Sequence, residues 1–371
     1  MRSAVPTVRL PSQINPAVAF PHQHLRCRKV GDGSEGFVEA WSHKVTGFVM
    51  AVKVIKPGKK IPLEVEVLRS LPAHCSIIHC FAYLPRLSSP NGDCIFFEYS
   101  PAGDLFELSK RMYKKNKAIF SEALVWAVFS RLSSAIAFLH EGIDCKVPTN
   151  ADSWRPVVHR DIKLENVLIS TLGQKDDFSS LVLKLGDFGL SAFYDPSNAR
   201  MPGNWGTSVL WPPEQIWEER EATPAGDVWA VGCVMHELAH GFPPVVDPEF
   251  TEKLAKKENK APSLPSHWSS AMRKSFWALK TPRKPLPANL DPGEHGWDIR
   301  RNRPTPKYSD ALNECMMMAL SLQVAQRATA ATLKTQIEEE HAAFLFEELR
   351  LENEAMEKEM NGGESEGEWD E

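Results

Sequence analysis

The chain has 371 residues, 43% of them apolar and 25% charged, which is the balance of an ordinary globular protein of one large domain or two average ones. Its net charge of −5 sits at one end: residues 351–371 carry nine acidic residues and one lysine, net −8, and the rest of the chain is +3. That excludes the strongly basic patch of a nucleic-acid binder, no stretch approaches about 18 unbroken apolar residues for a membrane span, and the N-terminus lacks a secretory signal pattern.

Pro6, Pro11, Pro16 and Pro21 punctuate the start and predict an extended, disordered arm over residues 1–22. Three β-rich runs follow at 24–30, 37–44 and 48–55, the last two joined by a Thr46-Gly47 turn. A short helix is predicted over 59–71 and a strand over 94–100. The texture then turns helical. In 121–142, Leu124, Val125, Val128, Leu132, Ala135, Ile136 and Leu139 recur at helical spacing, with Ser121 to cap the start and Gly142 the end. A second apolar helix is expected over 225–239. Residues 243–308 read as loops and short helices, and 309–360 as helix again. The expected boundary between a small β-rich lobe and a larger helical lobe lies at Tyr99–Asp104. Seven cysteines, an odd number at irregular spacing, predict reduced thiols and a cytoplasmic or nuclear location.

The glycine run GDGSEG (31–36) matches G-x-G-x-x-G, but strand-like residues follow it where a dinucleotide-binding loop would open a helix. It is either an ordinary Gly-rich hairpin or one that folds over phosphates and offers them backbone N–H groups. Lys53 follows at a distance that reaches the same phosphates, and Glu64 or Glu66 could orient it as an ion pair. Further on stand VVHRDIKLENVLI (157–169) and LKLGDFGL (183–190).

With GDGSEGFV, AVK, HRDIKLEN, DFG, PPE and DVWAVGCV in this order, the chain resembles the eukaryotic protein kinases over roughly Leu25–Ala330. The resemblance implies an α+β, bilobal fold: a kinase domain over 23–345, split into an N-lobe at 23–99 and a C-lobe at 100–345, with an acidic tail at 346–371. It also implies ATP and Mg²⁺ as cofactors and protein substrates with Ser/Thr acceptors, with no nucleic acid and no membrane among the partners. The expected roles follow residue by residue. Asp161 takes the acceptor's proton, Lys163 neutralises the γ-phosphate, and Asn166 and Asp187 hold Mg²⁺. Lys53 holds the α/β-phosphates, paired with Glu64, while Glu66 faces away. Gly31, Gly33 and Gly36 cover the phosphates. Val38 and Ala51 cover the adenine, Phe97 closes its pocket, Glu98 to Ser100 form the hinge, and Asp104 reaches the ribose. Lys163 and Thr207 resemble the serine/threonine class. Glu165 takes the place that meets a basic residue upstream of the acceptor in basophilic kinases.

Several positions depart from that pattern. Pro212-Pro213-Glu214 replaces APE but keeps the glutamate expected to pair with Arg327. Glu35 stands at the glycine-loop tip, where its charge opposes phosphate. Gly203, preceded by Pro202, stands where the family often carries its activating phosphosite, so activity is expected to need no such phosphorylation. An insertion at 143–156 is either a plain surface loop or resembles the extra residues that NimA-related kinases can carry there. A scaffold lacking catalysis is the alternative function. HELAH (236–240) also matches the zinc-protease pattern H-E-x-x-H, but in the kinase register it lies on a buried C-lobe helix. HCSIIHC (74–80) and Met316–Met318 are read as packing, not as metal or cofactor sites. The C-terminal segment is either a frayed acidic end or a helix for a regulatory partner.

Overall fold

The structure is a computed structural model describing residues 16–33, 36–88, 90–116, 120–146, 154–174, 177–198, 206–216, 221–296 and 305–362. β1 (His24–Asp32), β2 (Gly36–His43), β3 (Val49–Ile55), β4 (Cys80–Ser88) and β5 (Asn91–Glu98) form one antiparallel sheet in the order β1-β2-β3-β5-β4. The β2–β3 hairpin closes at the expected turn. Gly47 there adopts φ 70°, a conformation that L side chains rarely take, and donates its N–H to His43 O at 2.9 Å. α2 (Leu63–Ser70) follows β3. It is shorter than expected because Pro62, extended at φ −58° and ψ 140°, occupies its N-cap.

One face of the sheet carries its own apolar cluster of Trp41, Val52, Val54, Leu87, Cys94 and Phe96, and Phe20 closes it. Phe20 belongs to α1 (Pro16–Gln23), so the expected extended arm is helical over its last residues. Proline is tolerated in the first turn of a helix, where its missing N–H and ring cost nothing, and Pro16 begins α1. Pro21 forfeits one hydrogen bond. Two helical turns are marginal alone. Here Phe20 packs 5.1 Å from the Trp41 ring and 4.9 Å from Phe96, and burying such a ring is worth about 2 kcal/mol. His24 Nδ1 donates to the otherwise orphaned Phe20 carbonyl at 3.1 Å and stacks on its ring. Residues 1–15 lie outside the described residues.

The larger lobe is built on α4 (Glu122–Glu141) and α5 (Pro224–His240), which pack on each other and on α8 (Asp310–Ala319) and α9 (Ala330–Gly362). Ser121 Oγ accepts the Leu124 N–H at 3.4 Å at the start of α4. Gly142 ends it at φ 69°, with the Trp154 ring so close that a Cβ would stand 2.8 Å from it. α4 is long and apolar enough to cross a membrane by composition, and 78% of its apolar window is buried inside the fold, as in a core helix. A continuous cluster runs from Val65 and Leu68 of α2 through Phe97 and Phe188 into α4 and α5, so the two lobes share one core. Met316 is buried in it, and Met317 and Met318 pack against it.

Other elements escaped the sequence reading too. β4 contains Pro85 and a register shift between Leu84 and Leu87, which breaks the two-residue alternation. α3 (Leu105–Asn116) buries only Leu105 and Leu108 among its described side chains and otherwise reads as a charged run. At the far end, α9 passes the expected domain edge at 345 without a break and continues to Gly362. Its length lets it stay helical, although its side chains from Leu345 on are mostly exposed. The short pairs β6 (Val157–Val158) with β9 (Ala192–Phe193), and β7 (Val167–Thr171) with β8 (Val182–Leu185), hold the loop between Val158 and Val167 at the lobe junction. α6 (Pro248–Lys257) and α7 (Ser270–Lys280) complete the lobe.

Candidate active site

Lys53 lies in the middle of β3, opposite Val38 of β2 and Ile95 of β5. Its Nζ donates to Glu64 Oε2 at 2.7 Å and to Asp187 Oδ1 at 3.1 Å. Glu64 is buried on the inner face of α2, whereas Glu66 is exposed, which resolves the choice between them. Burial alone pulls the ammonium down. The Glu64 and Asp187 carboxylates reverse that effect and hold Lys53 well above its usual range. Asp187 is likewise desolvated, but Lys53 and the nearby His159 and Lys163 keep its carboxyl below the usual range. Asp187 sits at φ 58°, a strained conformation for this residue. It is secured because the next N–H, of Phe188, donates to Glu64 Oε1 at 3.1 Å and the Phe188 ring is fully buried against His159.

The loop from His159 to Asn166 is anchored from beneath. Asp227, in the first turn of α5, accepts the His159 N–H at 2.7 Å, the Arg160 N–H at 2.9 Å and His140 Nε2–H at 3.0 Å. Burial opposes its charge, but His140 and His159 hold the carboxyl below the usual range. This fixes Arg160 at φ 71° and turns the next residue, Asp161, toward a polar net. Asp161 Oδ2 accepts from Lys163 Nζ at 2.6 Å, and Oδ1 accepts from Thr207 Oγ1 at 2.9 Å. Asn166 Nδ2 donates to the Asp161 carbonyl at 2.7 Å. With that amide nitrogen committed, the Asn166 amide oxygen is left as a hard donor. Together with the ionised Asp187 carboxylate it is an oxygen set suited to Mg²⁺.

The glycines divide in function. A Cβ on Gly36 would stand 1.9 Å from Val54 O, so Gly36 is needed for β2 to pair with β3. Gly31 has open space around it, and a Cβ on Gly33 would only touch Gly36 O at 3.7 Å, so packing among the described residues does not demand glycine at either position. Ser34 and Glu35 lie outside the described residues. Val38 and Ala51 are half-buried on adjacent strands, and Ala51 faces the buried Phe97 across β3 and β5. The Glu98 carboxylate turns away to the His79 N–H at 2.7 Å and to Lys184 at 3.0 Å, so only its backbone serves the hinge. The Ser100 hydroxyl lies 3.1 Å from that of Ser170. Asp104 Oδ1 accepts the Glu107 N–H at 2.8 Å. Asp104 is therefore the N-cap of α3, and its expected reach to a ribose shares the carboxylate with that task.

Glu214 and Arg327 form the expected bidentate pair at 2.6 and 3.0 Å, with Ala225 O also on the guanidinium. The HELAH histidines are spent on structure. His236 accepts the Leu286 N–H at Nε2, 3.1 Å, and donates from Nδ1 to Phe242 O at 2.8 Å. His240 bonds Leu286 O through Nε2 at 3.2 Å and Thr305 through Nδ1 at 3.3 Å. Neither ring presents a nitrogen to a metal. Glu237, between them, is pushed up to about 7 by burial and then by the charge of Glu165. No sequence signal singled out that acidic pair, since Glu237 was read only as part of the zinc pattern. Pro202, Gly203 and residues 147–153 of the insertion lie outside the described residues.

The protein kinase domain, as a family, matches residues 25–337. Among curated proteins, the serine/threonine-protein kinase Nek1 of Toxoplasma gondii is 29% identical over 254 residues, 66% of this chain and 15% of that protein. The G2-specific protein kinase nimA of Emericella nidulans is 29% identical over 279 residues, 69% of this chain and 38% of that protein. The chain thus spans well under half the length of these relatives. Among solved structures, the CAK complex from Chaetomium thermophilum bound to ATP-gamma-S has a chain that superposes with a TM-score of 0.56 at 23% identity, covering 86% of this chain and 91% of that one. With the family's domain matched over most of its length, and with the family's fold, this chain belongs to the protein kinase family.

Proposed function

We propose that the protein is an active serine/threonine kinase that transfers the γ-phosphoryl group of ATP to a protein hydroxyl. The observation that carries this reading is the net around Asp161, in which Lys163 and Thr207 converge on its carboxylate and Asn166 donates to its carbonyl, beside the Lys53–Glu64–Asp187 cluster. Phosphoryl transfer asks for positioning and charge neutralisation more than for covalent help. Asp161 orients the acceptor hydroxyl and takes its proton as the new P–O bond forms and the bond to ADP breaks. Lys163 spreads the charge on the transferred group, and Lys53 holds the remaining phosphates. Asn166 and Asp187 would hold Mg²⁺, which neutralises phosphate charge when bound. A scaffold without catalysis would have no need to keep this net intact.

The Glu165–Glu237 pair supports a preference for acceptors with a basic residue upstream of the hydroxyl. Two neighbouring carboxylates, one half-buried and raised to about 7, are relieved by an incoming cation. Incubation with ATP, Mg²⁺ and generic protein acceptors, followed by phosphosite mapping, tests the reading. Phosphoserine or phosphothreonine behind upstream Arg or Lys is the expected product. Phosphotyrosine alone would refute the class.

A further inference from the structure

Arg283 is a buried guanidinium whose hydrogen bonds among the described residues all go to backbone carbonyls. Nη1 donates to Ala278 O at 2.7 Å and Thr281 O at 2.9 Å, at the end of α7. Nε donates to Trp211 O and Nη2 to Ser208 O, both at 2.7 Å. The fork therefore grips a helix end with one side and a distant loop with the other. Burial pulls the guanidinium down to about 10.

The loop it grips is the one beside the catalytic net. Thr207, bonded to Asp161 and 3.4 Å from Lys163 Nζ, immediately precedes Ser208. Residues Ser208–Leu210 form a single tight turn whose closing bond, Trp211 N–H to Ser208 O, is long at 3.4 Å. The 2.7 Å bond from Arg283 to the same carbonyl is the better one. Ser275 of α7 adds a hydroxyl bond to Ser208 Oγ at 3.1 Å, and Cys233 Sγ of α5 lies 3.9 Å from Leu210 O. Arg283 itself arrives oriented. Its neighbours on either side bond the segment after α5, through Val246 N–H to Pro282 O at 3.1 Å and Lys284 N–H to Pro244 O at 2.8 Å.

Because Thr207 bonds the Asp161 carboxylate, this loop lies beside the point that an acceptor hydroxyl would have to reach. We propose that Arg283 is a positioning residue for the acceptor chain, clamping loop 207–211 from behind so that its outer face keeps the shape the acceptor reads. The guanidinium suits this task because one planar group reaches four carbonyls on two elements. Lysine, a point donor on a flexible stem, cannot reproduce that fork. For its acceptor readout the inference rests on the kinase activity proposed above. The clamp itself is also readable without turnover.

The test compares the full chain with Arg283→Lys and Ser275→Ala. Amide hydrogen exchange over 206–216 is expected to quicken by about tenfold in Arg283→Lys and less in Ser275→Ala, with exchange around Lys53 and Asp187 unchanged. In the same proteins, KM for a peptide acceptor should rise about tenfold and about threefold, while KM for ATP stays within twofold. Unchanged exchange over 206–216 would overturn the clamp. Quickened exchange with acceptor and ATP parameters falling in parallel would reduce Arg283 to general stability and overturn the acceptor role. If the unaltered protein transfers no phosphate, the kinase reading fails and the exchange result still decides the clamp. If Arg283→Lys fails to fold, Ser275→Ala decides both readouts.

Discussion

Lys53 and Glu64, on β3 and α2, meet at 2.7 Å in a buried ion pair whose other face is Asp187. Three segments far apart in sequence are thereby held in one charge cluster. Removing one member of such a cluster leaves an uncompensated charge that cannot reach water. Glu64→Gln is expected to lower kcat/KM by about 10²-fold, because Lys53 then loses its 2.7 Å charged partner and is drawn toward Asp187, off the phosphate position. Steady-state kinetics at saturating acceptor checks this. A loss under about threefold would show that α2 does not orient the lysine.

His74 gives the fold an acid-side weakness. It stacks 4.4 Å from Phe138, accepts the Ser76 N–H at 3.2 Å, and is pulled down to about 4 by burial. Lys184, Lys146 and Lys334 pull the same way and Asp144 opposes them. The unfolded chain takes up this proton below about pH 6.5, whereas the folded chain does so only near pH 4. Its contribution to stability is therefore full above about pH 6.5 and falls as pH drops toward 4, by at most about 1.4 kcal/mol per pH unit. His74→Asn keeps an acceptor for Ser76 and cannot titrate there. The difference between the two melting-temperature profiles should narrow steadily from pH 6.5 to 4, and parallel profiles would remove His74 from the account.

Glu237 predicts a pH-dependent preference. Raised to about 7, it is largely neutral at pH 6 and largely charged at pH 8. KM for an acceptor peptide with an upstream arginine should fall between pH 6 and 8 relative to the same peptide with alanine there. Glu237→Gln should flatten that ratio, and a ratio constant with pH in the unaltered protein would contradict the assignment.

The motifs were legible because phosphoryl-transfer chemistry fixes residue type and spacing together. HRDIKLEN and DFG identified Asp161, Lys163, Asn166 and Asp187, and the structure brings all four together with Lys53 and Glu64. α4 was legible because its apolar face is long and its caps are of standard type. What stayed hidden depends on contacts remote in sequence. Nothing near Pro21 announces that Phe20 will find Trp41 and Phe96. Glu98 and Asp104 are assigned to a hinge and a ribose contact by position, and nothing near them in sequence shows that their carboxylates are committed to Lys184 and to the start of α3. Arg283 sits in a Pro-rich stretch without periodicity, and its role exists only once Ser208 and Trp211 fold against it.

Gly203 predicts an unphosphorylated route to activity, since no hydroxyl stands at the position where the family often carries one. Protein made in bacteria and treated with phosphatase should keep at least half its specific activity. Loss of activity restored by phosphorylation of Ser191, Tyr194 or Ser197 would contradict this.

The central claim is that the net on Asp161 performs phosphoryl transfer. The most direct measurement compares the unaltered protein with Asp161→Asn, following transfer from Mg²⁺-ATP to a peptide acceptor and binding of an ATP analogue in the same preparations. Transfer by the unaltered protein, reduced about 10³-fold or more in Asp161→Asn with analogue binding unchanged, is the predicted result. Analogue binding by both proteins with transfer by neither would contradict the account and make the molecule a nucleotide-binding scaffold.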